Sequence, residues 1–308
     1  EFIRALAVAD LTGPARHRLA DELVERARAM ALTEYGRIRN DLDSEFGALV
    51  RLIVDFVGRQ IDTAILPGTA SEISEKDVDD IVRDITVEGA LLIIWLSRLS
   101  GDLAFKLERL LQVAATDQLG ATEVIRASRE AFESARRNVQ PILRTAITAV
   151  LAATVTRMVR DHEHVTKGYV HVSILDSRTT KHICLPRAGR RWLVDGTPVG
   201  HTMPLRRPPL HMGCRSHLAV WFKSLKELPA HLAMSIREAG RGRAFRDKPV
   251  VEPSLEVWLR SRPVAEQRAI VGAKKWEAWK GGKLTVAGLL DQSGRPLTLD
   301  QVRKLLGL

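Results

Sequence analysis

The feature that most restricts this chain is a change of period. Across the first 160 residues apolar side chains recur every three to four positions, and from Gly168 they alternate. The first spacing lines one face of a helix and the second one face of a strand, so one chain must build two kinds of core. In the helical part Leu19, Leu23, Ala27 and Met30 form one stripe, and Phe46, Leu49, Val50, Ile53 and Val57 another. Pro67-Gly68 marks a turn. Ser74 with Asp77 has the spacing of a capping box, with Asp in place of Glu, and opens a helix through Val78 and Ile81. Val87–Leu99 reads as a buried helix that breaks at Gly101, and Leu103–Leu119 as the next. Thr122 caps a further helix to about Asn138. Pro141 fits the first turn of another that runs to about Asp161.

Beyond Gly168 the residues Val170, Val172 and Ile174 alternate with Tyr169, His171 and Ser173 and predict a strand. Trp192–Val194 followed by Asp195-Gly196 predicts a second strand entering a tight turn. Pro204, Pro208 and Pro209 mark an extended loop, and His217–Phe222 predicts a third short strand. Short helices are expected at 255–259, 264–270 and 274–280. Thr298 and Gln301 form a capping box, with Leu297 and Val302 placed as a hydrophobic staple. The expected fold class is therefore mainly α with a small β module (α+β). Its parts are a helical region over 1–160, a small β-rich module over 161–225, a basic linker over 226–250 around Gly240 and Gly242, and a tail of short helices over 251–308.

At 308 residues the chain is long enough to bury a core without staples. Two cysteines exclude a disulfide scaffold. The apolar runs near 90–96 and 145–156 are too short to span a bilayer, so no membrane partner is expected. The net charge is +10, and residues 181–248 alone hold 14 Lys and Arg against 4 Asp and Glu. One segment thus carries the whole imbalance. That pattern suits a polyanion such as DNA, or an acidic protein surface, and Arg206, Arg207, Arg215, Arg241, Arg243 and Arg246 are the candidate contacts.

Seven of the nine histidines and both cysteines fall between His162 and His217. Cys184 and the later His211-x-x-Cys214 supply three ligands of the kind zinc takes, and His182, His201 or Asp176 is a candidate fourth. Three readings of this cluster stand side by side. It holds a metal, it forms a Cys184–Cys214 disulfide, or it is two small buried cysteines with His211 hydrogen-bonded in a turn. Catalytic motifs are missing. No Gly-x-Ser-x-Gly elbow surrounds Ser173 or Ser177, there is no Walker loop and no Gly-x-Gly-x-x-Gly, and His162-Glu163-His164 is not His-Glu-x-x-His. Asp176, Arg178 and Thr179 read as a structural turn, with a substrate phosphate site as the alternative.

The stretch Val172-Ser173-Ile174-Leu175-Asp176-Ser177-Arg178-Thr179-Thr180, then Cys184, Gly189 and Trp192, then Pro208-Pro209-Leu210-His211-Met212-Gly213-Cys214-Arg215-Ser216, resembles the head-morphogenesis domain of tailed bacteriophages. This is the minor head protein family of the phage Mu F-like and SPP1-type proteins. The tail is similar to that family as well: Trp258-Leu259, Gln267 to Gly272, Trp279, Gly282-Lys283-Leu284, then Arg295 to Leu299. Many members carry a second cysteine just before the first. Thr180 stands in that neighbourhood here, and His182 is the available substitute ligand. The resemblance implies a non-enzymatic virion protein, a few-copy internal head component near the portal vertex that resides in the host cytoplasm during assembly. It implies binding to the portal, in several copies, and help with procapsid assembly, DNA packaging or ejection. Packaged DNA, scaffold and major capsid protein are further partners. The readings that compete with it are a nucleic-acid-binding protein and a metal-dependent DNA-processing enzyme with Asp176 and His211 on the metal.

Overall fold

The computed structural model describes residues 2–9, 11–174, 183–238, 255–285 and 297–306. The fold is mainly α with a small antiparallel β module, as the change of period requires. It divides into two compact units, one of Glu1–Leu49 with Asp79–Ile147 and one of Val50–Val78 with Thr148–Leu308.

Helices dominate the first 161 residues. They are α1 (Phe2–Val8), α2 (Arg16–Ala64), α3 (Glu75–Arg83), α4 (Leu92–Asp117) and α5 (Ala121–Asp161). α2 buries Ala20, Leu23, Val24, Ala27 and Ala31 in its first half and Phe46, Val50, Ile53, Val57 and Ile61 in its second. These sit three, four and seven apart, so they share one face. Ser74 caps α3 as its spacing predicts: the Asp77 N–H donates to Ser74 Oγ at 3.2 Å, and the hydroxyl donates to the Asp77 carboxylate at 2.7 Å.

Several local expectations do not hold. Thr122 lies inside the first turn of α5 rather than capping it, since the Glu123 and Val124 N–H groups bond to Gly120 O. A helix over Ala230–Glu238 occupies part of the stretch expected as a linker. Val87 does not open a helix. Val87 and Ala90 pair across a hairpin of β1 (Thr86–Val87) and β2 (Ala90–Leu91). Its turn residues Glu88 and Gly89 have φ of 48° and 81°, the signs that a two-residue type I′ turn demands. Gly101 does not break α4. An exposed helical glycine costs about 1 kcal/mol, whereas burying each of Leu99, Leu103 and Leu107 contributes about 1.5–3 kcal/mol. Pro141 does not begin a helix but lies inside α5. It forfeits one main-chain bond, and the buried face of Ile142, Ala146, Val150, Val155 and Met158 outweighs that loss. The apolar stretch near 145–156 also belongs to a longer segment. By length and composition α5 reaches a membrane-crossing window, of which 56% is buried within the fold itself.

The β module is a four-stranded antiparallel sheet in the order β5-β4-β3-β6. Its strands are β3 (Thr166–Val172), β4 (Arg191–Leu193), β5 (Pro198–Val199) and β6 (His217–Phe222). The turn after β4 is closed by the Leu193 N–H donating to Thr197 O at 2.9 Å, with the Asp195 carboxylate accepting from the Thr197 N–H at 2.8 Å. β3 lies in the middle and pairs Tyr169 with Trp192 on one side and with Val220 on the other. Its alternation runs opposite to hydrophobicity. Tyr169, His171 and Ser173 are buried, while Val170 and Val172 are half-buried and Ile174 is exposed.

After α6 (Ala230–Glu238) the tail carries α7 (Leu255–Arg260), α8 (Val264–Val271), α9 (Ala273–Lys280) and α10 (Leu299–Leu306). Leu259, Val271, Trp276, Trp279, Leu297 and Val302 form its core. The buried Gln267 amide donates to Arg260 O and Arg262 O and accepts from the Trp276 indole at 3.1 Å. Thr298 and Gln301 cap α10 reciprocally, at 2.7 and 3.3 Å.

Candidate metal centre

Two turns of the β module bring the cysteines together. His211-Met212-Gly213-Cys214 is closed by the Cys214 N–H donating to His211 O at 3.1 Å. Gly213 holds φ 71°, the sign that the third residue of a type II turn requires. A buried bond of 2.9 Å from Thr148 Oγ1 in α5 to Cys214 O anchors this turn just ahead of β6. Cys184 precedes a 3-10 turn over Leu185–Arg187, and its carbonyl accepts from the Arg187 N–H at 3.0 Å and from Ser173 Oγ at 3.0 Å. The two turns therefore hang on Ser173 just past β3, on Thr148 of α5, and on the start of β6.

The result is a three-residue cluster. Cys184 Sγ lies 3.1 Å from His211 Nε2 and 3.8 Å from Cys214 Sγ, and all three donor atoms lie within 4.8 Å of one another. Both cysteines are free and buried, at 2% and 1% exposure. This group could hold a metal ion. Two sulfurs at about 2.3 Å from a tetrahedral ion sit about 3.8 Å apart, which is the separation found here. His211 is oriented for the role. Its Nδ1 faces Met212 O at 2.9 Å and must donate to it, so Nε2 faces the sulfur with its lone pair when the ring is neutral.

The thiols behave as a pair. The hydrogen bond between the two sulfurs, ahead of burial, raises Cys184 above the ordinary thiol range. The same bond lowers Cys214, joined by main-chain N–H groups of Leu210 and Ser216 and by His211. Ser216 also donates to the Cys184 sulfur. Behind the sulfurs lies a buried polar layer. Ser173 Oγ is 3.1 Å from Ser216 Oγ and 3.3 Å from His171 Nδ1.

His171 is the deepest member of that layer. Burial, then the charges of Arg187 and His217, lower its pKa from 6.5 to about 3. The unfolded chain takes up a proton below about pH 6.5 and the folded chain does not until about pH 3. This contribution to stability is therefore whole above pH 6.5 and is lost as the pH falls through that window, by up to about 1.4 kcal/mol per pH unit. Denaturant melts of the parent and His171→Asn at stepped pH check this. The variant is expected to lose stability less steeply, and parallel slopes for the two proteins would refute the assignment.

The other candidate residues fall elsewhere. His201 is not a fourth ligand. Its Nε2 donates to Arg191 O at 3.0 Å, its Nδ1 accepts from the Met203 N–H at 3.2 Å, and its ring packs edge-on against Trp192. His182, Asp176, Arg178 and Thr179 lie outside the described residues, as do Arg241, Arg243 and Arg246. His162 is a buried structural group, donating to Met158 O and accepting from the Ser71 N–H. Arg206 and Arg207 are exposed and Arg215 is half-buried. Arg207 lines an open cleft of about 880 Å³ with Arg160, Lys167 and Lys223, but Glu163, Asp195 and Glu227 line it too, so its charge is mixed. Sequence reading missed Ser216, Arg187 and the inward role of His171. Ser216 stands two residues after Cys214, which is the one local signal for it. Comparison with known proteins gives no matching family model, no matching curated protein and no matching solved structure.

Proposed function

We propose that this chain is a minor head protein of a tailed phage: a non-enzymatic, few-copy internal component that binds the portal and assists procapsid assembly, packaging or ejection. The observation that carries the reading is the meeting of Cys184 with His211 and Cys214. These are the residues of the family-like motif, 27 and 30 positions apart, and their donor atoms share one buried cluster. Zinc is the metal we infer. It prefers two thiolates and an imidazole in tetrahedral array, and it accepts donors at the separation of these sulfurs.

The burial of the cluster supports a clamp rather than a reaction centre. Neither thiol is open to a substrate, and a metal held there would tie two turns of the small sheet together. Cys184, His211 and Cys214 would hold the ion, with His182 as the fourth ligand that the sequence offers. The long helices supply faces for the portal or for sister copies. The basic excess of residues 181–248 suits packaged DNA or an acidic portal surface.

Co-expression with the portal protein of the same genome, read by native mass spectrometry, tests this reading. A complex of defined stoichiometry is expected, with the mass of each copy raised by one zinc ion. A chain that is folded and soluble but enters no complex would overturn the assembly role. DNA affinity falling steeply with salt, without any portal, would then favour the nucleic-acid-binding reading.

A further inference from the structure

Arg187 is 2% exposed, and no carboxylate pairs with it among the described residues. Its Nη1 donates to Ile183 O at 2.7 Å, and its Nε is buried without a partner. A buried guanidinium left this way is costly, so its place in the fold calls for a counter-charge. Arg190 and Arg206 add charge of its own sign, and His171 beside it is held neutral. Cys184 stands three residues back on the same turn, its carbonyl bonded by the Arg187 N–H, and its sulfur would become negative there on binding a metal.

The geometry points to Arg187 as the positioning residue of the metal centre, gripping the Cys184 turn and balancing the negative charge of the paired sulfurs. This rests on the metal reading above. The grip is double. The Arg187 main-chain N–H closes the turn on Cys184 O at 3.0 Å, and the guanidinium reaches past Cys184 to the carbonyl of Ile183. The peptide groups on both sides of Cys184 are thereby tied to one residue, which limits where its sulfur can point. The charge acts on the same sulfur. A thiolate that binds a metal keeps negative charge, and a fixed cation in a dry site favours it more than one in water would. Nothing in this role requires Arg187 to touch the ion. Outer residues that orient and tune ligands change metal affinity by about 10–100-fold when altered.

The test is zinc affinity of the full chain, measured by competition with a chromophoric chelator, for the parent, Arg187→Gln and Arg187→Lys. Arg187→Gln is expected to bind zinc about 10–100-fold more weakly, while Arg187→Lys, which keeps the charge, stays within about fivefold of the parent. A merely structural arginine would shift the unfolding of the zinc-free protein and leave affinity unmoved. Parent and Arg187→Gln binding within about twofold of each other would overturn the inference and leave the metal reading intact. A parent that binds no zinc would overturn both. If Arg187→Gln does not fold, the lysine variant decides: affinity within about fivefold supports the role, and a loss beyond about tenfold overturns it.

Discussion

Gly168→Ala is expected to cost about 3–5 kcal/mol and to leave little folded β module, against a total stability of about 5–15 kcal/mol for a domain. A Cβ at residue 168 would stand 1.9 Å from Trp192 O, 2.8 Å from Leu193 Cα and 2.9 Å from Leu193 C. All three are main-chain atoms of β4, the strand paired with Gly168 through Leu193. A flexible side chain could swing away, but β4 cannot yield without parting from β3, which is the centre of the sheet. Denaturant unfolding followed by tryptophan emission reads the effect, because Trp192 is fully buried beside the clash. Gly101→Ala serves as the control of opposite sign. That position is exposed within α4 and a Cβ there meets nothing within 4 Å, so the variant is expected to gain up to about 1 kcal/mol. If both variants melt with the parent, the close approach of β3 and β4 is wrong.

On the zinc reading proposed above, removing the metal is expected to have the second largest effect. With free zinc a thousandfold above its dissociation constant, binding contributes about 4 kcal/mol to unfolding free energy. A strong chelator should remove that amount and lower the melting temperature of the β module. Cys214→Ser should show the chelated parent's behaviour from the start and respond no further to chelator. The serine leaves Thr148's bond to the residue 214 carbonyl in place, so loss of a ligand is separated from loss of the turn. The metal would tie position 184 to position 214, closing a loop of 30 residues in an otherwise thin module. Identical melts with and without chelator would remove zinc from the account of this fold.

How much could be read in advance differs sharply between the two halves. The helices of 1–161 were legible because each buries one stripe, and a stripe such as Phe46, Val50, Ile53 and Val57 is a property of spacing alone. Gly101 and Pro141 misled because they are local signals, and the faces buried through Leu103 and Val150 outweigh them. The hairpin at 86–91 had a signal in Glu88-Gly89, but the apolar run around it hid the turn. In the sheet the strands were legible and their inward face was not. Tyr169, His171 and Ser173 look like a solvent face, yet all three are buried, with Ser173 bonded among His171, Ser216 and the Cys184 carbonyl. Likewise the spacing of Cys184, His211 and Cys214 announced a possible ligand set. Arg187 and Ser216 carry no periodic mark, because their roles depend on which turns meet in space.

The position of β3 also sets an order of events during synthesis. About 45 residues separate the end of β3 from the start of β6, while β4 follows β3 by fewer than 20. At about 5–20 residues per second the ribosome delivers β6 roughly 2–9 seconds after β3. Through that interval the β3–β4 pair has one long open edge, the kind of strand that recruits other chains. His211 and Cys214 emerge just before β6, so the half of the cluster that could capture an ion arrives as the edge is about to close. The nascent chain therefore carries this unpaired edge of β3 until residues 217–222 have been made.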